Sequence, residues 1–376
     1  MQTKGALLHK PGEDWTVEPI EVGDPVAGEV QLRLAASGLC HSDEHFRGGA
    51  NLAATYPLLG GHEGAGVVTK VGAGVSGVEV GDHAVLGFIP ACGVCRPCSQ
   101  GLQNLCDQGA NLLTGQSIAD NTYRTRTAGG APVTPMCLLG TFAPYVTVSQ
   151  SSVIKIEKDV PLETAALLGC GVSTGWGSAV SIGNTRPGDT VVIVGVGGVG
   201  INAVQGAAAA GARFVIAVDP VEFKRDKARE FGATHTFASM EEAAGPVAEL
   251  TWGAQAHTVI LTVGELQGDQ LAPALAMTAK GGQVIVTAIA DMTQIDAKVG
   301  LFDLALMQKR IQGAIFGGIS PRTQVPRLLE QYRAGQLKLD ELTTRTYRLE
   351  EINQGYQDMR DGKNLRGVVR YTDADY

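Results

Sequence analysis

Hydrophobic patterning changes character along the chain. Residues 29–36 (EVQLRLAA) alternate apolar and polar positions, the period of a half-buried strand. Residues 67–71 and 82–86 read as further short strands, with Gly72, Gly74, Gly77 and Gly81-Asp82 punctuating them. Many short strands between such turns predict a mostly-β, partly barrel-like domain. Beyond residue 190 the apolar runs become continuous and branched. Residues 191–194 and 214–218 suit buried parallel strands, and a small-residue helix over 201–212 lies between them. A polar helix over 222–231 follows, then apolar runs at 258–262 and 283–288 flanking a helix over 269–279. Residues 320–335 and 349–362 have amphipathic helical periodicity, and 364–371 closes with a strand.

The junction between the first two buried strands is TVVIVGVGGVG. Gly195, Gly197, Gly198 and Gly200 follow the strand and open the helix. Such glycines allow a tight turn and a close backbone approach to a pyrophosphate, while the helix N-terminus supplies N–H groups to it. The second strand ends in Asp219, at about the ~20-residue distance of the acid that binds an adenosine ribose 2′-OH. Strand, glycine turn, helix, strand and acid predict a Rossmann doubly wound parallel sheet holding NAD. Lys224 and Arg225 lie close by in sequence; they either soften the repulsion of a 2′-phosphate or form a solvated helix face.

Length and charge narrow the classes. A chain of 376 residues accommodates two domains. The net charge of −8 argues against a nucleic-acid partner. No apolar run reaches the ~18 residues of a membrane span, and residues 1–15 lack the apolar core of a signal peptide. Six of the seven cysteines fall into metal-like groups, which favours a reducing, cytoplasmic compartment over a disulfide framework.

Those cysteines carry the most specific chemistry. CGVCRPCSQGLQNLC sets Cys92, Cys95, Cys98 and Cys106 at the spacing of a closed four-thiolate zinc site, with an iron–sulfur cluster as the alternative. Cys40 in the loop GLCHSDEH, His62 in GGHEGAGVV and Cys170 in LLGCGVSTGWG offer two sulfurs and one nitrogen. Three ligands leave a zinc position open for water or substrate. Taken singly, each reads equally well as a core thiol or a satisfied imidazole.

With GLCHSDEH, GGHEGAG, the four-cysteine lobe, GCGVSTGWG, VGVGGVG, VDPVEFKRDKAREFGATH and GAIFGG in this order, the chain resembles the zinc-dependent medium-chain alcohol dehydrogenases over nearly its full length. The segment between Cys106 and Tyr145 is similar to that of their long-form branch. The resemblance implies a discontinuous, GroES-like catalytic domain (1–171 and 316–376) and a Rossmann coenzyme domain (172–315), with the active site in the cleft between them. It implies a catalytic zinc on Cys40, His62 and Cys170, a structural zinc on the cysteine lobe, Glu63 behind the catalytic zinc and Asp43 orienting His62. Ser42 would take the alcohol proton and pass it, through the nicotinamide ribose, to His45. Thr174 and Val199 would pack on the nicotinamide, Asp219 and Lys224 would hold the adenosine ribose, Ala314 and Phe316 would offer backbone groups to the carboxamide, and Arg366 would reach the pyrophosphate. His41 stands where many relatives carry arginine, a change that alters how tightly the coenzyme is held.

Phe88, Leu138, Ala288 and Ile315 are implied as the pocket lining. They are apolar or small and suit a primary apolar alcohol or aldehyde. A thiol-dependent formaldehyde dehydrogenase stays open through Arg124 and Arg126, which either line a polar mouth or lie solvated in a loop. A non-catalytic zinc and nucleotide binding protein is a third reading. GGHEGAGVVTKVG and FIPACGVCRPC are also similar to the nicotinoprotein subgroup, which keeps its NAD bound and uses an external acceptor. A homo-oligomer, dimer or tetramer, is expected. Cys137 has no assigned role and reads as a buried loop thiol.

Overall fold

Alternating positions build the first sheet system in the computed structural model, which describes residues 1–49 and 55–376. β1 (Gln2–Leu8) and β2 (Thr16–Val22) pair antiparallel, and β3 (Glu29–Gly38) extends the expected 29–36 strand. GLCHSDEH, read as a loop, is instead the start of a helix, α1 (His41–Gly48). Extended Cys40 caps it, Asp43 Oδ2 accepts from Cys40 N at 3.2 Å, and Gly49 ends it at φ 80°. Asp43 and Glu44 in the first turn complement the helix dipole.

Next come β4 (Leu58–Leu59), β5 (Gly64–Val71), β6 (His83–Leu86), the short helix α2 (Arg96–Ser99), β7 (Thr125–Thr127), β8 (Pro132–Pro135), β9 (Tyr145–Ser149), β10 (Val153–Ile156) and α3 (Leu162–Ala165). β1, β2, β7, β8 and β4 close a barrel. The compact unit they belong to is Met1–Cys170 with Ser320–Tyr376.

The second unit, Gly171–Ile319, holds the parallel sheet. It opens with α4 (Gly171–Gly177), then β11 (Thr190–Val194), α5 (Gly200–Ala209), β12 (Phe214–Val218), α6 (Glu222–Glu230), β13 (His235–Phe237) and α7 (Met240–Leu250). β14 (Ala256–Leu261), α8 (Leu271–Ala276), β15 (Thr278–Val286), α9 (Leu301–Leu306) and β16 (Arg310–Gly313) follow. The order β13-β12-β11-β14-β15-β16 is parallel throughout. It is the doubly wound order whose crevice opens where β11 and β14 diverge. Val192, Val194, Ile216, Val259, Leu261 and Val284 fill its core, which explains their unbroken apolar runs. The units divide after Cys170 and Ile319 rather than after 171 and 315. Residues 316–318 stay with the second unit because Gly317 lies against Gly177: a Cβ on Gly177 would sit 2.5 Å from Gly317 O.

The chain then returns to the first unit with α10 (Pro321–Arg333), β17 (Thr343–Tyr347), α11 (Ile352–Arg360) and β18 (Arg366–Arg370). β18 joins β3 antiparallel, extending the sheet β10-β6-β5-β3-β18-β17, while β9 also pairs with β3. Trp15, Phe142 and Tyr356 form an aromatic cluster with centroids 5.8–6.3 Å apart, behind the turn that carries His62. Among the described residues no single helix is long and apolar enough to cross a membrane.

Candidate functional site

The turn at Gly60-Gly61 sets the first site. Gly61 has φ +86°, and a Cβ there would sit 2.5 Å from Thr141 Oγ1; one on Gly60 would sit 2.6 Å from the Trp15 ring. Only glycine fits between the aromatic wall and the strand. Thr141 N and Phe142 N donate to Gly61 O and Gly60 O, and Thr141 Oγ1 meets Ser37 Oγ at 2.7 Å. Thr141 was not singled out from the sequence, because an isolated threonine carries no pattern; its role shows only in these contacts.

This frame brings Cys40, His62, Glu63 and Cys170 together, all buried, with one ligand atom of each within 4.8 Å of the others. Both His62 ring nitrogens are buried without a hydrogen-bond partner. Asp43 Oδ1 lies 3.4 Å from Nδ1, near enough for a charge contact, and it accepts from Gly61 N at 3.0 Å. Cys170's hydrogen bond and the His62 charge hold the Cys40 thiol well below its usual range, against burial, while the reciprocal contact and burial push Cys170 up. Burial raises the Glu63 carboxyl to about 7 although Arg366 opposes it. Two thiols and an orphaned imidazole fit a zinc ion in this cluster.

Arg366 has a partner that the sequence did not indicate. It is 3% exposed, and its Nη2 donates to Glu63 Oε2 and to Leu39 O at 3.2 Å. β18 delivers it to the carboxylate behind the cluster, where the two form an ion pair inside the first unit.

Ser42 and His45 lie on α1, not on a loop. Ser42 Oγ is 3.6 Å from Cys40 Sγ. His45 is buried, and the exposed His41 meets it edge-on with centroids 5.4 Å apart. Phe88 stands edge-on to His62 at 5.7 Å. Cys137 is half-buried at φ +51°, its thiol pushed up to about 11 by burial and close enough to feel the charges of His62, Asp43 and Cys40. Leu138, buried at φ +64°, borders a small cavity with Glu29, Ser117 and Arg124.

The second cluster is the cysteine lobe. Cys92, Cys95, Cys98 and Cys106 place their sulfurs within 4.8 Å of one another, with Cys92–Cys98 at 3.9 Å and Cys95–Cys106 at 3.8 Å. Zinc–sulfur bonds of about 2.3 Å set a tetrahedral edge near 3.8 Å. That spacing admits one ion and not a multi-iron cluster. Backbone N–H groups of Cys92, Cys95 and Asp107 point at Cys106, Cys92 and Cys95 sulfurs at 3.3–3.5 Å, the arrangement that stabilises thiolates.

In the second unit, Gly195 has φ +86° at the end of β11, and a Cβ on Gly200 would sit 1.9 Å from Gly195 O. A Cβ on Gly197 would meet nothing within 4 Å, so space for a ligand begins there. Asp219 is 5% exposed; its Oδ2 accepts from Val196 N and its Oδ1 from Val221 N, both at 2.9 Å. Each oxygen keeps a second lone pair for a ribose hydroxyl. Arg225 Nη1 donates to Asp219 O and Pro220 O at 2.8 Å, so it braces the strand end, whereas Lys224 on α6 has no comparable anchor. Thr174 Oγ1 is buried without a partner. The open glycine turn, the buried acid and this orphan hydroxyl fit a dinucleotide. Val199 precedes α5. Ala314 uses its N–H on Val286 O at 2.9 Å, and buried Phe316 begins a 3₁₀ turn at φ +50°. Ala288 and Ile315 belong to this unit too, Ile315 being 40% exposed.

The arginines kept for a polar mouth are committed elsewhere. Arg124 Nε donates to Glu29 at 2.6 Å and Nη2 to Asp120 at 2.8 Å; Arg126 Nη1 donates to Gly130 O at 3.1 Å.

Residues 20–158 match the family described as "Alcohol dehydrogenase GroES-like domain" and residues 198–333 match "Zinc-binding dehydrogenase". The chain is 53% identical over 375 residues to "Alcohol dehydrogenase B" of Mycobacterium tuberculosis H37Rv, covering 100% of each. It is 50% identical over 372 residues to the "NDMA-dependent alcohol dehydrogenase" of Amycolatopsis methanolica, covering 99% of this chain and 100% of the relative. The crystal structure of benzyl alcohol dehydrogenase from Acinetobacter calcoaceticus superposes with a TM-score of 0.90 at 27% identity, covering 99% of this chain and 100% of that one.

Proposed function

Since the chain belongs to the zinc-dependent medium-chain alcohol dehydrogenase family and is an NAD-dependent enzyme of it, we propose that it interconverts a primary apolar alcohol and its aldehyde with NAD that stays bound between turnovers. The retained coenzyme rests on one observation, the full-length 50% identity to an NDMA-dependent relative. Cys40, His62 and Cys170 would hold the catalytic zinc, and Cys92, Cys95, Cys98 and Cys106 the structural one. When bound, the open zinc makes an alcohol oxygen more acidic and NAD accepts the hydride.

The protein's own residues set up that exchange. Asp43 beside His62 Nδ1 fixes the ring and leaves Nε2 for the metal. Ser42 takes the alcohol proton, and His45, on the same face of α1, carries it outward past His41. Glu63, tied to Arg366, stands behind the ligands. The Gly195–Gly200 turn and Asp219 would hold the pyrophosphate and the adenosine ribose, with Lys224 beside the ribose; Thr174, Val199, Ala314 and Phe316 would surround the nicotinamide. Phe88 beside His62 supports an apolar substrate, as does the likeness to a benzyl alcohol dehydrogenase. Six of the seven cysteines lie in the two metal-like clusters, which supports our assignment of the enzyme to a reducing, cytoplasmic compartment.

The test is absorbance. Gel-filtered enzyme given benzyl alcohol alone is expected to develop reduced-nicotinamide absorbance, and a nitrosoaniline dye to sustain turnover with little gain from free NAD. Enzyme that stays silent until NAD is supplied, and then reduces it steadily, would leave the alcohol dehydrogenase activity standing and remove the retained coenzyme.

A further inference from the structure

α1 carries Ser42 and His45 on one side and two buried carboxylates on the other. At about 100° per residue, Ser42 and His45 fall within roughly 60° of each other, and Asp43 and Glu44 occupy the opposite half of the helix. Asp43 is tied to Cys40 N and Gly61 N. Glu44, 9% exposed, has a different anchor. Arg47 donates to it through Nε at 2.8 Å and Nη2 at 3.2 Å, and Arg360 of α11 donates Nη1 to its Oε2 at 2.6 Å. Arg360 is itself braced by Gln357 Oε1 at 2.9 Å.

One turn earlier on α11, Tyr356 is buried beside Asp43; burial, and then that charge, hold its phenol well above the usual range. Residues four apart share a helix face. A single face of α11 therefore backs both carboxylates of α1. A buried carboxylate is expensive to desolvate, and an apolar pair would pack these helices at least as stably. What the ion pair adds is direction: Arg47, on α1 itself, holds the Glu44 side chain in place on the helix, and Arg360 of α11 ties that carboxylate to a second element, and with it the rotation of an eight-residue helix about its axis.

We propose that Arg360, acting through Glu44, is a positioning residue that fixes the rotation of α1 and so holds Ser42 and His45 in line for proton transfer. This rests on the reading of Ser42 and His45 as the proton path. A small rocking of α1 that leaves Asp43 bonded to Cys40 N and Gly61 N displaces Ser42 and His45 together and leaves the buried cluster in place. The clamp therefore acts on the chemical step more than on metal or alcohol binding.

The experiment follows NAD reduction by benzyl alcohol in the zinc-replete holoenzyme, in a single turnover with NAD saturating. Arg360→Met and Glu44→Gln are each expected to slow that step about tenfold, the scale of a modest misplacement of reacting groups. KM for the alcohol and the zinc content should stay at wild-type values. Arg360→Lys should recover part of the rate, since it restores the charge without the fork. The double variant Glu44→Gln/Arg360→Met should be no slower than either single one, because the two act as a unit.

If both single variants react at the wild-type rate, or if their losses multiply in the double variant, the clamp is overturned. Should Arg360→Met fail to accumulate as folded protein, Glu44→Gln and Arg360→Lys decide the question by the same rate. Ser42→Ala and His45→Ala separate the two ideas. If they react normally, the proton path fails and the clamp with it. If they are slow while the clamp variants are not, only the clamp fails.

Discussion

Two cysteines that look alike in the sequence do different work. Cys170 belongs to the buried cluster with Cys40, His62 and Glu63, and Cys95 to the lobe of four. Cys170→Ala is expected to abolish turnover and remove one of about two zinc ions per chain, with little change in Tm. Cys95→Ser takes a ligand from a closed site whose binding energy is folding energy, so a loss of more than about 3 kcal/mol is expected. Metal analysis and thermal melts of the two variants check both outcomes. Asp219→Ser should narrow the preference for NAD over NADP by about tenfold, or ~1.4 kcal/mol, measured as the ratio of kcat/KM values for added coenzyme in enzyme stripped of its own. Wild-type enzyme using NADP as well as NAD would remove that role. The lobe cysteines and this acid were legible from spacing, whereas Cys170 joined Cys40 and His62 only through the family resemblance. The pairing of Glu63 with Arg366 was not legible: the two lie 303 residues apart, and no local pattern records such a meeting.

At the scale of elements, α1 is the instructive case. Residues 43–46 of this helix are all buried, three of them polar, so an amphipathic stripe never appears and the stretch reads as a polar loop. The capping signals were present: an acid at the third helical position and glycines at the end. The parallel strands β11, β12 and β14 were legible because burial on both faces writes a continuous apolar run. β16, exposed at all four residues, writes no such run. Elsewhere, α11 and β17 meet at Asp358, which accepts from Tyr347 Oη and Arg345 Nη1, each at 2.9 Å, and from Gln354 Nε2 at 3.0 Å. Burial raises its pKa, but these donors outweigh burial and hold it below the usual carboxylate range. A depressed folded pKa means the stabilisation is present above the unfolded value near ~3.9 and lost as pH falls through the folded value. Asp358→Asn should therefore melt earlier at pH 7, by about 1.5–3 kcal/mol for charged hydrogen bonds. The gap from wild type should shrink as pH drops below about 4. An unchanged gap from pH 7 to pH 3 would mean the carboxylate's charge contributes nothing.

For the whole molecule, the parallel sheet ends in an open, apolar edge among the described residues. β16 has no partner on its outer side among the described residues. Leu301 and Phe302 of α9 are each 71% exposed, Leu306 is 65% exposed and Ile311 38% exposed. An edge strand with apolar neighbours invites pairing, and two identical edges can meet antiparallel about a twofold axis. Light scattering checks the expected pairing: a wild-type dimer that Phe302→Lys combined with Ile311→Lys turns into a monomer is the expected outcome, and a wild-type monomer would remove the idea. The separation of Glu63 from Arg366 also has a temporal side. A chain made from its N-terminus exposes the four cysteines of the lobe, Cys92 to Cys106, within one short stretch, so that site can capture its metal early in synthesis. The buried cluster gains Cys170 only after much further elongation, and Arg366 later still, when β18 inserts beside β3. The two zinc ions are therefore expected to enter in order, with the structural ion leading and the catalytic centre among the last parts of the enzyme to mature.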